Sequence, residues 1–330
     1  MSAPVVVGPE AVAALGWVAA VEAIRAALAE GLDPDAMPPR TVVDLEHGQG
    51  LLMPAEWGGW YGVKVATIAP GNPARGLDRI SALYVLHDST TLRPVAVLDG
   101  VALTTLRTPA VSIAAGLGRL RALVAGPERV AAGGLRMVVF GAGPQAWGHV
   151  TCVSSHVPLA GVTMVSRTGG GDREPLSSNG ISRSVQQLTT DAKAVPDAVR
   201  DADIIVTATS AREPVLDGRL VRDDALVIAV GSHEPSVREL DAGLLSRSTV
   251  VVESREAAGR EAGDILLAVA EGALDLDAVV PMAQLLGPDA AVPPADRPLV
   301  VKTSGMAWED LVVAISVWDR RQPIDGRGDR

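Results

Sequence analysis

Two groups of residues in this chain have types and spacing suited to chemistry. The sharper is Met137-Val-Val-Phe-Gly141-Ala142-Gly143-Pro144-Gln145-Ala146, an apolar strand running into a glycine turn that opens a helix. In such a turn the first glycine allows the bend and the second lets backbone amides approach a diphosphate. Ala146 stands where helix meets strand, in place of a third glycine. N–H groups at a helix start carry partial positive charge, so the pattern reads as a dinucleotide site rather than an ordinary β-to-α turn. About twenty residues further on, an NAD site usually sets Asp or Glu against the ribose hydroxyls. This chain has Ser166-Arg167-Thr168 at the end of the next strand. An arginine with two hydroxyls suits a 2′-phosphate, which favours NADP(H). Arg167 stacked on adenine, or turned to solvent, leaves NAD(H) open.

The second group is cationic. Lys64 sits in the apolar strand Tyr61-Gly-Val-Lys-Val-Ala-Thr-Ile, where it either meets an anion or points outward to water. Arg107 precedes Thr108 and Pro109, which read as the N-cap and first residue of a helix within Thr104–Leu123. A helix start is electropositive and does nothing to stabilise an arginine, so something anionic is expected beside it. Arg40 follows Pro38 and Pro39. His233, in Val230-Gly231-Ser-His-Glu-Pro235, has a side chain suited to proton transfer near neutrality. The alternative is that it caps the strand end or contacts the cofactor without titrating. His47, His87, His149 and His156 show no metal-ligand spacing, and no metal is expected. In Ser304-Gly-Met-Ala-Trp-Glu-Asp310, Ser304 is a candidate cap, Gly305 allows close backbone approach, and Asp310 reads as capping or pairing within its helix.

The elements that must position these residues follow from periodicity. Helical spacing runs from Gly8 to Leu32, closed by Gly31 and Pro34. Strands are expected at Arg40–Leu45, Gly50–Met53, Tyr61–Ile68, Ser81–His87 and Pro94–Leu98, forming a mixed or antiparallel sheet. From Arg136 the rhythm becomes βαβ, with strands at Met137–Phe140, Val162–Ser166, Ile204–Ala208, Leu226–Val230 and Thr249–Val252. That rhythm implies a parallel sheet wrapped on both faces. Thr168–Ser184, rich in Gly, Ser and Arg, reads as an exposed loop.

Composition bounds the rest. The chain has 330 residues, 48% hydrophobic, and its formal charge of −10 argues against nucleic-acid or anionic-membrane partners. A single cysteine, Cys152, excludes an internal disulfide and fits a cytoplasmic protein. No apolar run approaches the roughly 20 residues that span a bilayer.

Arg107-Thr-Pro-Ala, the glycine turn at Gly141, Glu239-Leu-Asp241 and the segment Ser304–Asp310 occur in one order. Lys64, Pro70-Gly-Asn72, Asp99-Gly100 and Glu261-Ala-Gly-Asp264 accompany them. Together they resemble the ornithine cyclodeaminase and mu-crystallin family over roughly Arg40 to Leu311. The resemblance implies an α/β protein: a Rossmann-type doubly wound domain over 119–304, and a smaller α+β substrate-binding and dimerisation domain from 1–118 and 305–330. It further implies a homodimer and a nicotinamide cofactor acting on amino acids or their imines. By that likeness Arg40, Lys64 and Arg107 hold a substrate carboxylate with Gly305 nearby, and Lys64 and His233 serve catalysis. Cofactor contacts fall to Thr108, Gly141, Ala142, Gly143, Pro144, Gln145, Ser166, Arg167, Thr168, Thr209, Gly231 and His233. Two departures bear on activity: Leu51 stands where cyclodeaminases carry a glutamate, and His233 where they and the archaeal alanine dehydrogenases carry an aspartate. The expected reaction is therefore reduction of a ketimine or α-imino acid, or in reverse oxidation of an amino acid. The alternatives are a cyclodeaminase-like lyase releasing ammonia, and a cofactor-binding protein without turnover.

Overall fold

The computed structural model describes residues 3–169, 185–286 and 293–321. Of the loop expected over Thr168–Ser184, residues 170–184 lie outside the described residues. The chain divides into two compact units: Met1–Thr108 with Gly305–Arg330, and Pro109–Ser304.

The first unit begins with β1 (Val5–Val7), α1 (Pro9–Ala13) and α2 (Trp17–Ala29). The single helix expected over Gly8–Leu32 is split because Gly16 adopts φ +78°, outside the helical region. Then come β2 (Thr41–Leu45), β3 (Gly48–Trp57), β4 (Trp60–Ile68), β5 (Ile80–Asp88) and β6 (Pro94–Asp99). They form a six-stranded sheet in the order β1-β6-β5-β4-β3-β2, antiparallel except for the parallel β1–β6 pair. The alternation of β4 sends Gly62, Lys64 and Ala66 to one buried face.

Helix α3 (Gly100–Val124) starts earlier than Thr108 and Pro109 suggested. Its start is fixed by Asp99, whose Oδ1 accepts the Ala102 N–H at 2.8 Å. Pro109 lies inside the helix and gives no N–H to the Thr105 carbonyl. An interior proline costs about 3 kcal/mol. Burying Leu103, Leu106, Ile113 and Leu117 along the same helix returns about 1.5–3 kcal/mol for each, so packing decides. The border between units falls at Thr108/Pro109 rather than at residue 118, inside this continuous helix where no break in composition marks it. Contrary to the expectation that no apolar stretch reaches spanning length, the most apolar 18 residues of α3 average a hydropathy of 1.2. Because 72% of that stretch is buried within the protein, α3 is a core helix.

The second unit continues with α4 (Pro127–Ala132), β7 (Leu135–Phe140), α5 (Pro144–Ser154), β8 (Leu159–Ser166) and β9 (Val185–Thr189). Next are α6 (Val195–Asp201), β10 (Ile204–Thr207), β11 (Leu226–Ala229), α7 (Ala242–Ser246) and β12 (Thr249–Val252). It closes with α8 (Arg255–Glu261), α9 (Gly263–Ala270), β13 (Val280–Pro281), α10 (Ala283–Leu286) and β14 (Leu299–Lys302). All eight strands run parallel in the order β13-β12-β14-β11-β10-β7-β8-β9. β10, β11 and β14 are buried at every position, as strands covered on both faces must be. The five strands expected from sequence are joined by β9, β13 and β14. β14 inserts between β11 and β12, out of chain order. From β7 the chain builds to one side through β8 and β9, then to the other through β10 and β11. The change of direction at β7/β10 is where ligands of such sheets bind. The last helix, α11 (Ala307–Arg321), belongs to the first unit and packs on α2, β3 and β4.

Candidate functional site

Within the first unit, Lys64 is 3% exposed although it is a lysine on a strand. Its Nζ donates to Asp310 Oδ2 at 2.7 Å and to Thr104 Oγ1 at 3.4 Å. Arg107, also buried, donates through Nη1 to Glu309 Oε2 at 2.6 Å and through Nε to Asp310 Oδ1 at 3.2 Å. The other carboxylate oxygen of Glu309 accepts the Met306 N–H at 3.0 Å and thereby caps α11. Gly305 has φ +81°, and a Cβ there would lie 2.6 Å from the Arg107 guanidinium. Its carbonyl accepts Arg40 Nη2 at 2.8 Å. Around this glycine stand three cations, Arg40, Lys64 and Arg107, with the carboxylates of Glu309 and Asp310 paired to Arg107 and Lys64.

Burial is the largest influence on Lys64 and lowers its pKa to about 8; Asp310 opposes that shift and Arg107 adds to it. Tyr84, the register partner of Lys64 on β5, has a buried hydroxyl that meets no hydrogen-bond partner among the described residues. Burial, then the Asp310 charge, raises its pKa. Gly62 leaves room for that ring, since a Cβ there would meet the hydroxyl at 2.1 Å.

Three expectations change here. Arg107 is not ahead of a helix but inside α3, and the anions beside it are Glu309 and Asp310. Asp310 does not pair within α11; it reaches Lys64 and Arg107, 246 and 203 residues away in sequence. Glu309 was not among the sequence candidates. Nor is Ser304 the start of α11, which begins at Ala307. Ser304 donates its N–H to Glu253 in the second unit.

In the second unit the glycine turn lies at the change of direction in the sheet. Gly141 has φ +119°, and a Cβ there would sit 2.4 Å from the Ala208 carbonyl oxygen, so only glycine fits. Gly143 is the N-cap of α5, Pro144 opens the helix and Gln145 follows; no side chain caps this end. A cavity of about 420 Å³ opens at the strand ends, lined by Gly141, Ala142 and Gly143 after β7, Ser166, Arg167 and Thr168 after β8, and Thr209 after β10. Gly231, after β11, abuts Thr209: a Cβ on Gly231 would meet the Thr209 carbonyl at 2.2 Å. His233 is exposed in the loop that follows. Thr108, the last residue of the first unit's N-terminal segment, is buried in α3.

A buried carboxylate holds these strand ends together. Glu239 accepts the N–H and hydroxyl of Thr209 at 2.8 and 2.7 Å, the Thr207 hydroxyl at 3.0 Å and the Gly231 N–H at 2.7 Å. Burial raises its pKa, and Lys302 counters this. Asp264 accepts the Glu239 and Leu240 N–H groups at 2.7 and 2.9 Å and lies 3.4 Å from Lys302 Nζ. Glu239 and Asp264 stood out in the sequence only as parts of motifs; nothing local showed what they fasten. Among the described residues no cluster of His, Cys, Asp or Glu could hold a metal.

The family model described as ornithine cyclodeaminase/mu-crystallin matches residues 7–323. The chain belongs to the ornithine cyclodeaminase/mu-crystallin family. It is 34% identical over 306 residues to the ketimine reductase mu-crystallin of Rattus norvegicus, covering 91% of this chain and 90% of that protein. It is 30% identical over 315 residues to the delta(1)-pyrroline-2-carboxylate reductase of Paracoccus denitrificans, covering 92% and 93%. Among solved structures, an archaeal alanine dehydrogenase dimer with bound NAD is similar at TM-score 0.78 and 26% identity, over 96% of this chain and 95% of that one. The likeness to that structure extends over nearly the whole chain, and so over both the six-stranded and the eight-stranded unit described here.

Proposed function

We propose that this chain is an NAD(P)H-dependent oxidoreductase that reduces the C=N bond of a cyclic ketimine or α-imino acid and, in reverse, oxidises the amino acid. The observation that carries the reading is the buried cluster around Gly305. Its three cations, gathered at one glycine, suit a carboxylate, and the chain belongs to a family whose relatives include imine reductases. Arg40 and Arg107 bind and orient the acid; a guanidinium offers a planar fork matched to it. Lys64, with its pKa near 8, is protonated at neutral pH yet gives up its proton readily, and donates it to the substrate nitrogen. Water then restores the proton to Lys64.

The second unit fits a dinucleotide. The approach permitted by Gly141 and the uncapped start of α5 suit a diphosphate, and Ser166, Arg167 and Thr168 at the cavity wall suit a 2′-phosphate, supporting NADP(H) over NAD(H). When bound, the reduced nicotinamide supplies hydride to the imine carbon. Thr108, Thr209, Gly231 and His233 complete the contacts we assign to the cofactor. The partner we assign is a second copy of this chain. Val43, Leu52, Val65 and Leu83 lie on the sheet face opposite Lys64, at 44%, 41%, 43% and 56% exposure, and a similar structure is a dimer. On the Lys64 face Leu51 lies between Val42 and Ala66, an apolar position where the second amine of a diamine would call for a carboxylate.

The test is oxidation of NADPH or NADH, followed by absorbance, with a panel of five- and six-membered cyclic 2-carboxy imines. Lys64→Ala and Arg107→Ala should each abolish turnover while leaving cofactor affinity intact. Ammonia released from ornithine with NAD, and no net reduction of the cofactor, would establish the lyase instead. Cofactor binding with no turnover of any imine would leave a binding protein.

A further inference from the structure

Asp310 is wholly buried and lies between two cations. One carboxylate oxygen is 2.7 Å from Lys64 Nζ and the other 3.2 Å from Arg107 Nε. Among the described residues, the groups facing Lys64 are few. α3 brings Arg107 and the Thr104 hydroxyl, α11 brings Glu309 and Asp310, and β5 brings the Tyr84 hydroxyl; Met53, its partner on β3, does not titrate. The two carboxylates have different work. Glu309 is taken up by the Met306 N–H and Arg107, which braces the start of α11. Asp310 is the carboxylate hydrogen-bonded to Lys64, and it also separates that ammonium from the like charge of Arg107.

From this geometry we infer that Asp310 is the positioning residue for proton delivery: it keeps the Lys64 ammonium charged and aimed, and recaptures it after each transfer. In the proton step an Nζ–H bond of Lys64 breaks, an N–H bond forms on the substrate nitrogen, and water returns a proton to the neutral amine beside Asp310. Removing the Asp310 charge leaves Lys64 buried next to Arg107, and both influences favour the neutral amine. The inference rests on the imine-reductase reading for its purpose, but the ion pair it describes can be measured without turnover.

The chain contains only three lysines, Lys64, Lys193 and Lys302. Labelling lysine side chains with carbon-13 therefore gives three ε-methylene signals, which Lys64→Arg and Lys193→Arg assign. In the wild-type protein Lys64 should titrate at about 8. In Asp310→Asn the midpoint should fall by at least about one pH unit, the shift expected when an adjacent opposite charge is lost. The alkaline limb of kcat/KM should move by the same amount, with kcat reduced more than KM is raised. Should Asp310→Asn fail to fold, Asp310→Glu keeps the charge and misplaces it; kcat should drop while the Lys64 midpoint stays near its wild-type value. A Lys64 midpoint unmoved in Asp310→Asn, or an unchanged kcat in Asp310→Glu, overturns the assignment. Wild-type protein that reduces no imine, yet shows the displaced Lys64 titration, would reject the functional reading and leave the ion pair standing.

Discussion

Arg107 reaches Glu309 through Nη1 and Asp310 through Nε, so one guanidinium spans two carboxylates that a single ammonium could not. Arg107→Lys keeps the charge and loses that span. Steady-state kinetics should show kcat/KM down by about a hundredfold or more, with circular dichroism unchanged. At this scale the sequence showed the cations and hid the anions. Lys64 stands out because a charge in an apolar strand is conspicuous, and Arg107 because an arginine before a threonine-proline pair is. Asp310 and Glu309 look like the acidic first turn of any helix, and their partners lie more than 200 residues away, a separation that leaves no periodic trace. His233 stood out for its chemistry, yet it is exposed in a loop, whereas Lys64, to which we assign the proton transfer, is buried.

The glycine turn was legible because its constraint is local: strand, bend and helix start follow one another in the chain, and the bend admits no side chain. Gly141→Ala would set a Cβ 2.4 Å from a backbone oxygen at a φ of +119°, so affinity for NADPH should collapse while the second unit stays folded. Titration of NADPH fluorescence, alongside thermal unfolding, separates the two effects. Helix α5 carries another consequence. His149 is wholly buried, its Nδ1 on the Gln145 carbonyl and its Nε2 by the Ser112 hydroxyl, and burial lowers its pKa to about 4. An unfolded chain protonates this histidine near pH 6.5 and the folded one only near 4, so stability is lost as pH falls through that window. Between pH 7 and 5 this one group should cost about 2 kcal/mol in urea unfolding, and His149→Leu should flatten that dependence. Less of α3 could be read. Thr108 and Pro109 imitate a helix start, and only the burial of the residues around them keeps the helix unbroken.

For the whole molecule, the βαβ rhythm announced a parallel sheet, because covered strands read as continuous apolar runs. It did not reveal β14, a four-residue strand that inserts between β11 and β12 out of chain order. The exposed face of the first sheet makes a prediction at this scale. Leu83 is 56% exposed there, and Leu83→Glu should convert a dimer to a monomer in light scattering without changing the circular dichroism of the chain. One feature of the connectivity reaches into biosynthesis. The element that supplies Asp310, and packs on β3 and β4, leaves the ribosome only after the entire second unit has been made. Until then Lys64 has no carboxylate from α11 to meet, and the sheet it stands on lacks its covering helix. Chains cut short ahead of Gly305 should therefore carry a raw apolar surface around a bare cation, and be the species that chaperones must retain.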